Sequence, residues 1–164
     1  MDVSIIPLTE KQLANIECAI DQVHAAFANQ RYMTAYGFEE AVKKQGRLLS
    51  TGAIYDSLKG AKFFSGFSSI LSFGEKSPTV EHRWPRQQAG ETIVSAILNH
   101  EPFDNIVELF KLSAIYNKTT SEENTALIKH QKNQKGPNDW RRVYKNARVP
   151  MEYMPERSTL LPRW

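Results

Sequence analysis

Apolar residues in the first third of the chain recur three or four positions apart, which is typical of an amphipathic helix. Thr9-Glu10-Lys11-Gln12 precedes them with the pattern of a capping box, so a helix is predicted over about residues 9–29. A second helical stretch from about Tyr32 to Gln45 would bury Met33, Tyr36 and Val42 and stop at Gly46, since glycine is favoured just beyond a helix C-terminus. Together the two stretches predict an N-terminal helical hairpin. The apolar positions of the first are Leu13, Ile16, Ile20, Val23 and Phe27.

The middle of the chain changes pattern several times. Residues 51–73 contain three glycines and many serines, and we expect a short helix and then irregular chain over the core, with a turn at 74–78. Residues 79–84 form a short extended pattern that Pro85 ends, because proline cannot donate to a continuing ladder. Helical spacing resumes from Gln87 to Leu98.

The apolar run Ile106–Phe110 is too short for its periodicity to decide, and it favours a second strand over a helical turn. Polar residues follow it, and Thr120 or Ser121 would cap a helix that Leu127 and Ile128 continue. Gly136-Pro137-Asn138-Asp139 predicts a break before a closing helix at about 140–147. We expect the proline-rich tail, 150–164, to wrap over the body.

Composition limits the class of protein. A chain of 164 residues with 41% hydrophobic residues can fill one core, which predicts a single domain over 1–164. There is no run of about 18 apolar residues and no basic start followed by an apolar run, so we expect a cytoplasmic protein with no membrane partner. Because Cys18 is the only cysteine, intramolecular disulfides and zinc sites of paired cysteines are excluded.

Charge is informative in its distribution, since the net charge of +3 is modest. One segment carries seven basic residues and a single acid, Asp139, and would attract polyanions, with Trp140 and Tyr144 placed to lie against sugars or bases. The alternative is a solvated helix face whose aromatic residues pack on the core. The basic residues are Lys129, Lys132, Lys135, Arg141, Arg142, Lys145 and Arg148.

Glu81 and His82 at a strand end, Asn105 before the possible second strand and Asn117 before a helix form the strongest candidate constellation. Carboxylate and amide oxygens suit a hard divalent cation, and an imidazole can take a proton from water near neutral pH. These groups are the ones needed to hydrolyse a phosphodiester bond.

Three segments, in this order, resemble the pieces of the HNH or ββα-metal nuclease family: Glu81–Pro85, Asp104–Val107 and Tyr116–Asn124. The resemblance implies a ββα core within residues 79–130 that carries a helical insertion, between a helical part at 1–73 and a basic part at 131–164. It also implies a divalent ion, Mg²⁺ being the expected one, and hydrolysis of nucleic acid, with DNA the expected substrate.

The same resemblance assigns roles to individual residues. It makes Glu81 a metal ligand, His82 the general base, Asn105 the residue that orients this base, and Asn117 the second ligand. Asn124 is the alternative for the last place, because seven residues are nearly two helical turns. In a regular strand Glu81 and His82 would point to opposite faces, so their joint use requires the chain to leave strand geometry there.

Basic residues around these pieces would hold the substrate. Arg83 and Arg86 would bind phosphates beside the site, and Trp84 between them is more typical of a core residue. The rest of the nucleic-acid-binding set is Lys129, Lys132, Arg141, Arg142, Lys145 and Arg148.

The rival hypothesis is a non-enzymatic helical module that binds nucleic acid or inhibits a protein. In it His82 is a half-buried, hydrogen-bonded histidine, Glu81 pairs with Arg83 or Arg86, and the two asparagines only make turns or caps. DNA against RNA, and action as a homodimer, stay open at this point.

Overall fold

The computed structural model describes residues 3, 6–52 and 63–159, and this part of the chain contains six α-helices and a four-stranded mixed sheet. The predicted α+β class, dominated by helices, is confirmed. In chain order the elements are α1 (Glu10–Ala28), α2 (Gln30–Thr51), β1 (Phe64–Ser69), β2 (Thr79–His82), α3 (Arg86–Leu98), α4 (Phe103–Ser113), β3 (Tyr116–Thr119), α5 (Ser121–Gln131), α6 (Trp140–Asn146) and β4 (Met151–Tyr153). None of the helices described has both the length and the apolar character required to span a bilayer.

The predicted N-terminal helix is confirmed together with its cap. The Thr9 side chain accepts from the Gln12 backbone N–H, and the Gln12 side chain accepts from the Thr9 backbone N–H, so two otherwise unpaired donors are satisfied. α1 packs with α2, α3 and α4 around the main apolar cluster, whose most buried members include Ile16, Val23, Ile93, Val94, Ile97 and Phe110.

The second helix is present, but the predicted stop at Gly46 is wrong, because α2 continues to Thr51. Gly46 is buried where α3 crosses α2: a Cβ added to Gly90 would lie 2.1 Å from the Gly46 carbonyl oxygen. The glycine therefore permits a close contact between helices rather than ending one. Of the residues expected to be buried, Met33 and Val42 are half-buried and Tyr36 is exposed.

The strand expected at Ile106–Phe110 is also wrong, since these residues lie in α4. Ile106, Val107 and Phe110 are buried, and their spacing places them on one face of a helix packed against α3. Five residues were too few to show that period in the sequence. Asp104 near the helix start and Lys111 near its end agree with the helix dipole.

The sheet has the order β2-β3-β1-β4, with β1 parallel to β3 and the two outer pairs antiparallel. The extended segment before Pro85 is confirmed as β2. β1 is a central strand where irregular chain was expected, and residues 53–62 of that segment lie outside the described residues. The tail contributes β4, a strand that the sequence did not predict.

A ββα element exists, although its second strand is β3 rather than Ile106–Phe110. β2 pairs antiparallel with β3 over four residue pairs, and α5 follows β3 directly and contacts β2. α3 and α4 form the insertion between the two strands. The predicted caps and the closing helix are confirmed as Thr120 before α5 and as α6.

Candidate active site and basic groove

Glu81 and Asn117 are direct cross-strand partners on β2 and β3. Opposing residues of an antiparallel pair have Cβ atoms about 4.5–5.5 Å apart on the same face. This face is turned toward α5, because Gln131 at the end of α5 donates a hydrogen bond to Glu81 Oε1. The structure therefore brings together the two residues that were predicted as metal ligands.

The Asn117 side chain is fully buried, and its oxygen already has two partners. Oδ1 accepts a hydrogen bond from Ser65 Oγ at 2.6 Å and one from Arg83 Nε at 2.9 Å. A cation at this atom would have to displace both donors and would face a guanidinium. Asn117 as a ligand stays a prediction, and the geometry does not favour it.

Asn124 offers a better oxygen for the second ligand. Its Oδ1 is buried, and no described residue donates a hydrogen bond to it. Asn124 lies seven positions before Gln131, so it projects from the same side of α5 about 10 Å nearer the start of the helix, and Gln131 is the residue of α5 that hydrogen-bonds to Glu81. A buried acceptor without a donor costs free energy unless a ligand or water satisfies it.

Burial controls the protonation of Glu81. It raises the pKa of this carboxyl from its usual 4.5 to about 7, although the Gln131 hydrogen bond and the charge of Arg86 act in the opposite direction. Near neutral pH the Glu81 side chain is therefore divided between its protonated and ionised forms.

His82 is the last residue of β2 and lies opposite Tyr116. β2 is regular through His82, so strand alternation directs this side chain to the face opposite Glu81, and the expected departure from strand geometry comes only after it. Burial, with a contribution from Arg86, lowers the pKa of the imidazole from 6.5 to about 4. His82 is therefore neutral at pH 7.

Asn105 lies in the first turn of α4 and is exposed. Its Nδ2 donates to Glu101 Oε2 at 3.3 Å, a contact within the same region of chain. Because the segment that follows it is helical, Asn105 does not begin a strand beside β2. Among the described residues no hydrogen bond supports its expected role of orienting His82.

Arg83 is an interior residue, although it was expected to hold phosphates at the surface. Its guanidinium carbon lies 4.2 Å from the Trp140 ring centroid and 5.0 Å from that of Phe67. Burial lowers its pKa to about 9, so the group remains charged at neutral pH. Trp84 is 1% exposed, which confirms it as a core residue.

A glutamine network that the sequence analysis missed holds the chain after β2. Gln134 Nε2 donates to the Arg83 carbonyl at 2.6 Å, and Gln88 Nε2 donates to the Gln134 carbonyl at 2.6 Å. Trp84 Nε1 in turn donates to Gln88 Oε1 at 3.0 Å. These bonds fix the direction in which Arg83 and Trp84 leave the sheet, and isolated glutamines carry no sequence signal for such a role.

A buried polar layer between the sheet and the helices α5 and α6 was also missed. Ser69 Oγ donates to Glu123 Oε2, and the same oxygen accepts from the Thr120 backbone N–H in the capping box of α5. Tyr144 from α6 is 2% exposed, and burial together with the charge of Glu81 raises its pKa. Ser65 donates to Asn117, and Tyr144 lies near both Glu81 and Glu123, so this polar layer includes the Glu81–Asn117 pair.

Part of the predicted basic segment borders an open groove of about 510 Å³ between α6 and the start of β4. We call this the basic groove. Arg141, Lys145 and Arg148 are its exposed cations, while Trp140 and Tyr144 are buried and pack on the core, as the alternative interpretation held. Its lining residues are Phe67, Trp140, Arg141, Tyr144, Lys145, Arg148, Val149, Pro150 and Met151.

The other predicted phosphate-binding residues lie elsewhere. Arg142 points away from the basic groove: its Nη2 donates to Asp139 Oδ2 at 2.6 Å and to the Asn133 carbonyl at 2.9 Å. This pairing lowers the pKa of Asp139 to about 2. Lys129 and Lys132 are exposed at the end of α5, and Arg86 is half-buried at the start of α3.

Within the described ranges, no group of three or more histidine, cysteine, aspartate or glutamate side chains is arranged to hold a metal ion. A divalent ion at the Glu81 site would therefore need amide, phosphate or water oxygens to complete its shell. Comparison of the chain with family models, curated proteins and solved structures gave no match.

Proposed function

We propose that the chain is a nuclease that hydrolyses phosphodiester bonds, with DNA as the first substrate to test, at the ββα element formed by β2, β3 and α5. The observation that carries this proposal is the pairing of β2 with β3. It sets Glu81 opposite Asn117 and places α5 against the same strands, although two helices separate the strands in sequence. The order strand, strand, helix is the one that the family resemblance implies.

His82 would act as the general base at the end of β2, where the charge of Arg86 influences the pKa of both His82 and Glu81, although the two side chains leave the strand on opposite faces. A histidine must be neutral to take a proton from water, and the lowered pKa keeps the His82 imidazole neutral at pH 7. A group with a pKa of about 4 is a weak base, but part of the lowering comes from the charge of Arg86. A substrate phosphate paired with Arg86 would cancel that part, so binding of the substrate would strengthen the base.

Glu81 and Asn124 would hold the divalent ion, with Mg²⁺ the expected one. Both present oxygen atoms, and the unsatisfied Asn124 Oδ1 is the structural observation that suits a hard cation. When bound, such an ion neutralises charge on the scissile phosphate and on the leaving oxygen. Glu81 must lose its proton to become a ligand, so we expect metal affinity to rise as the pH passes through about 7.

The test is a cleavage assay on supercoiled plasmid and on a single-stranded DNA oligonucleotide, each with Mg²⁺, Mn²⁺ or EDTA. We expect metal-dependent cleavage by the wild type and its loss in His82→Ala, because no other group is assigned to take the proton from water. His24→Ala is the matched control, since His24 lies in α1 on the helical side of the molecule. Cleavage that survives in His82→Ala, or that proceeds equally in EDTA, refutes the proposal.

A non-enzymatic nucleic-acid-binding module is the second candidate, and one observation favours it. Both Glu81 and Asn117 already have hydrogen-bond partners within the protein, as expected for a structural polar cluster. Under this hypothesis DNA binds in EDTA, Mg²⁺ weakens binding only as a competing cation for the phosphates, and no condition yields cleavage.

A further inference from the structure

The basic groove has two unlike sides. Arg141, Lys145 and Arg148 form one edge, while the exposed Pro150 and the half-buried Met151 form an apolar wall. Val149 also lines the groove, but it is 4% exposed and belongs to the core. The described residues that line the groove include no carboxylate. Three exposed cations without a carboxylate among these lining residues make this edge complementary to a negatively charged ligand.

The backbone at Arg148 is a second, independent feature of this edge. α6 ends in a Schellman motif, in which the Val149 N–H donates to the Tyr144 carbonyl and the Arg148 N–H donates to the Lys145 carbonyl, both at 3.0 Å. Arg148 occupies the position that usually holds glycine and has φ 57°, a left-handed conformation that is costly for a side chain. α3 ends in the same way at His100, so the left-handed residue belongs to the helix-terminating motif, and Arg148→Gly can remove the charge while it keeps this motif.

We propose that the basic groove binds single-stranded nucleic acid, with phosphates along the cationic edge and an unpaired base against the apolar wall. A duplex stacks its bases inside and presents phosphates outside, so the apolar wall would have no base to contact. Arg83 already lies against the Trp140 and Phe67 rings, so the base meets mainly aliphatic groups and little base preference is expected.

The basic groove is connected to the candidate active site. Tyr144 lines the groove and lies close enough to Glu81 for the carboxylate to raise the pKa of the phenol. Arg83, behind the Trp140 ring, donates to Asn117. This inference deepens the proposed function because it names single-stranded nucleic acid as the substrate class. It rests on the proposed function only for the cleavage of the strand after it has bound.

The test measures the binding of a fluorescently labelled DNA oligonucleotide by anisotropy in EDTA, at several salt concentrations, against a duplex of the same sequence. We expect the single strand to bind about ten-fold more tightly. Arg148→Gly should lower the slope of log K against log salt by about 0.7. The same variant should raise the melting temperature by about 2–4 °C, because glycine removes the backbone strain.

Arg142→Gln is the matched control, because it removes one positive charge from the same helix at a residue paired with Asp139 outside the groove. Its salt slope should stay close to that of the wild type. The inference is overturned if the duplex binds as tightly as the single strand or more tightly. It is also overturned if Arg142→Gln and Arg148→Gly lower the slope of log K against log salt by the same amount. Binding in EDTA does not depend on catalysis, so single-strand binding without cleavage would refute the proposed nuclease and leave this inference standing.

Discussion

Glu81 and His82 are neighbours whose pKa values move in opposite directions, which predicts a compensated dependence of stability on pH. Folding raises the pKa of Glu81 from 4.5 to about 7 and lowers the pKa of His82 from 6.5 to about 4. Between these limits the folded protein keeps a proton on Glu81 that the unfolded chain releases, so this group makes the free energy of unfolding fall as pH rises. His82 does the reverse, because the unfolded chain holds the proton that the folded protein lacks.

The perturbation is Glu81→Gln, which removes one titration and leaves the other. At about 1.4 kcal/mol per pH unit, the free energy of unfolding of this variant minus that of the wild type should increase by up to about 3 kcal/mol between pH 4.5 and 6.5. Both side chains are half-buried, so this is an upper bound. His82→Ala should give a difference of similar size and opposite sign.

The assay is urea unfolding at constant ionic strength at pH 4.5, 5.5 and 6.5, with the exposed Glu75→Gln as control. Subtracting the wild-type values removes the contribution of all other titrating groups. For each variant the quantity compared is its free energy of unfolding minus that of the wild type. If this difference depends on pH in the same way for Glu81→Gln and Glu75→Gln, the Glu81 carboxyl is exposed to water rather than buried, and the reasoning is refuted.

Three further predictions concern separate parts of the molecule. Gly90→Ala forces a methyl group against the carbonyl of the crossing helix and should destabilise the protein by about 2 kcal/mol or more in thermal unfolding, whereas Gly74→Ala, which meets no atom within 4 Å, should have little effect. In an NMR titration, added inorganic phosphate should raise the pKa of His82 above about 4, and Arg86→Gln should abolish this effect of phosphate. A pKa of His82 that does not respond to phosphate contradicts the proposal that a phosphate on Arg86 strengthens the base. Thr120→Ala removes the α5 cap and should lower the free energy of unfolding by about 1 kcal/mol in a urea titration, and an unchanged value would show that the cap contributes nothing.

Elements with a local signal could be predicted from the sequence. The capping box and regular apolar spacing identified α1, and Pro85 marked the end of the extended segment that contains β2. These signals act within one or two turns of chain, so no knowledge of distant residues is needed to interpret them.

The central strands β3 and β1 could not be predicted, because their polar residues become buried only through contacts across the fold. Asn117 and Thr119 on β3 look like loop residues in sequence, yet both are fully buried against the helices. Ser65 on β1 has the same character and hydrogen-bonds to Asn117 across the sheet. A core face filled with polar side chains has no hydrophobic alternation, which is the main sequence signal for a strand.

The candidate site divides in the same way. The residue types at Glu81, His82, Asn105 and Asn117 were sufficient to suggest phosphodiester chemistry, since chemical character belongs to each side chain wherever it lies. The pairing of β2 with β3 decided which of these residues lie close together in the fold. It placed Asn117 opposite Glu81, whereas Asn105 lies on an inserted helix. Strand pairing joins residues far apart in the chain, and only the packing of the whole molecule selects one register among many.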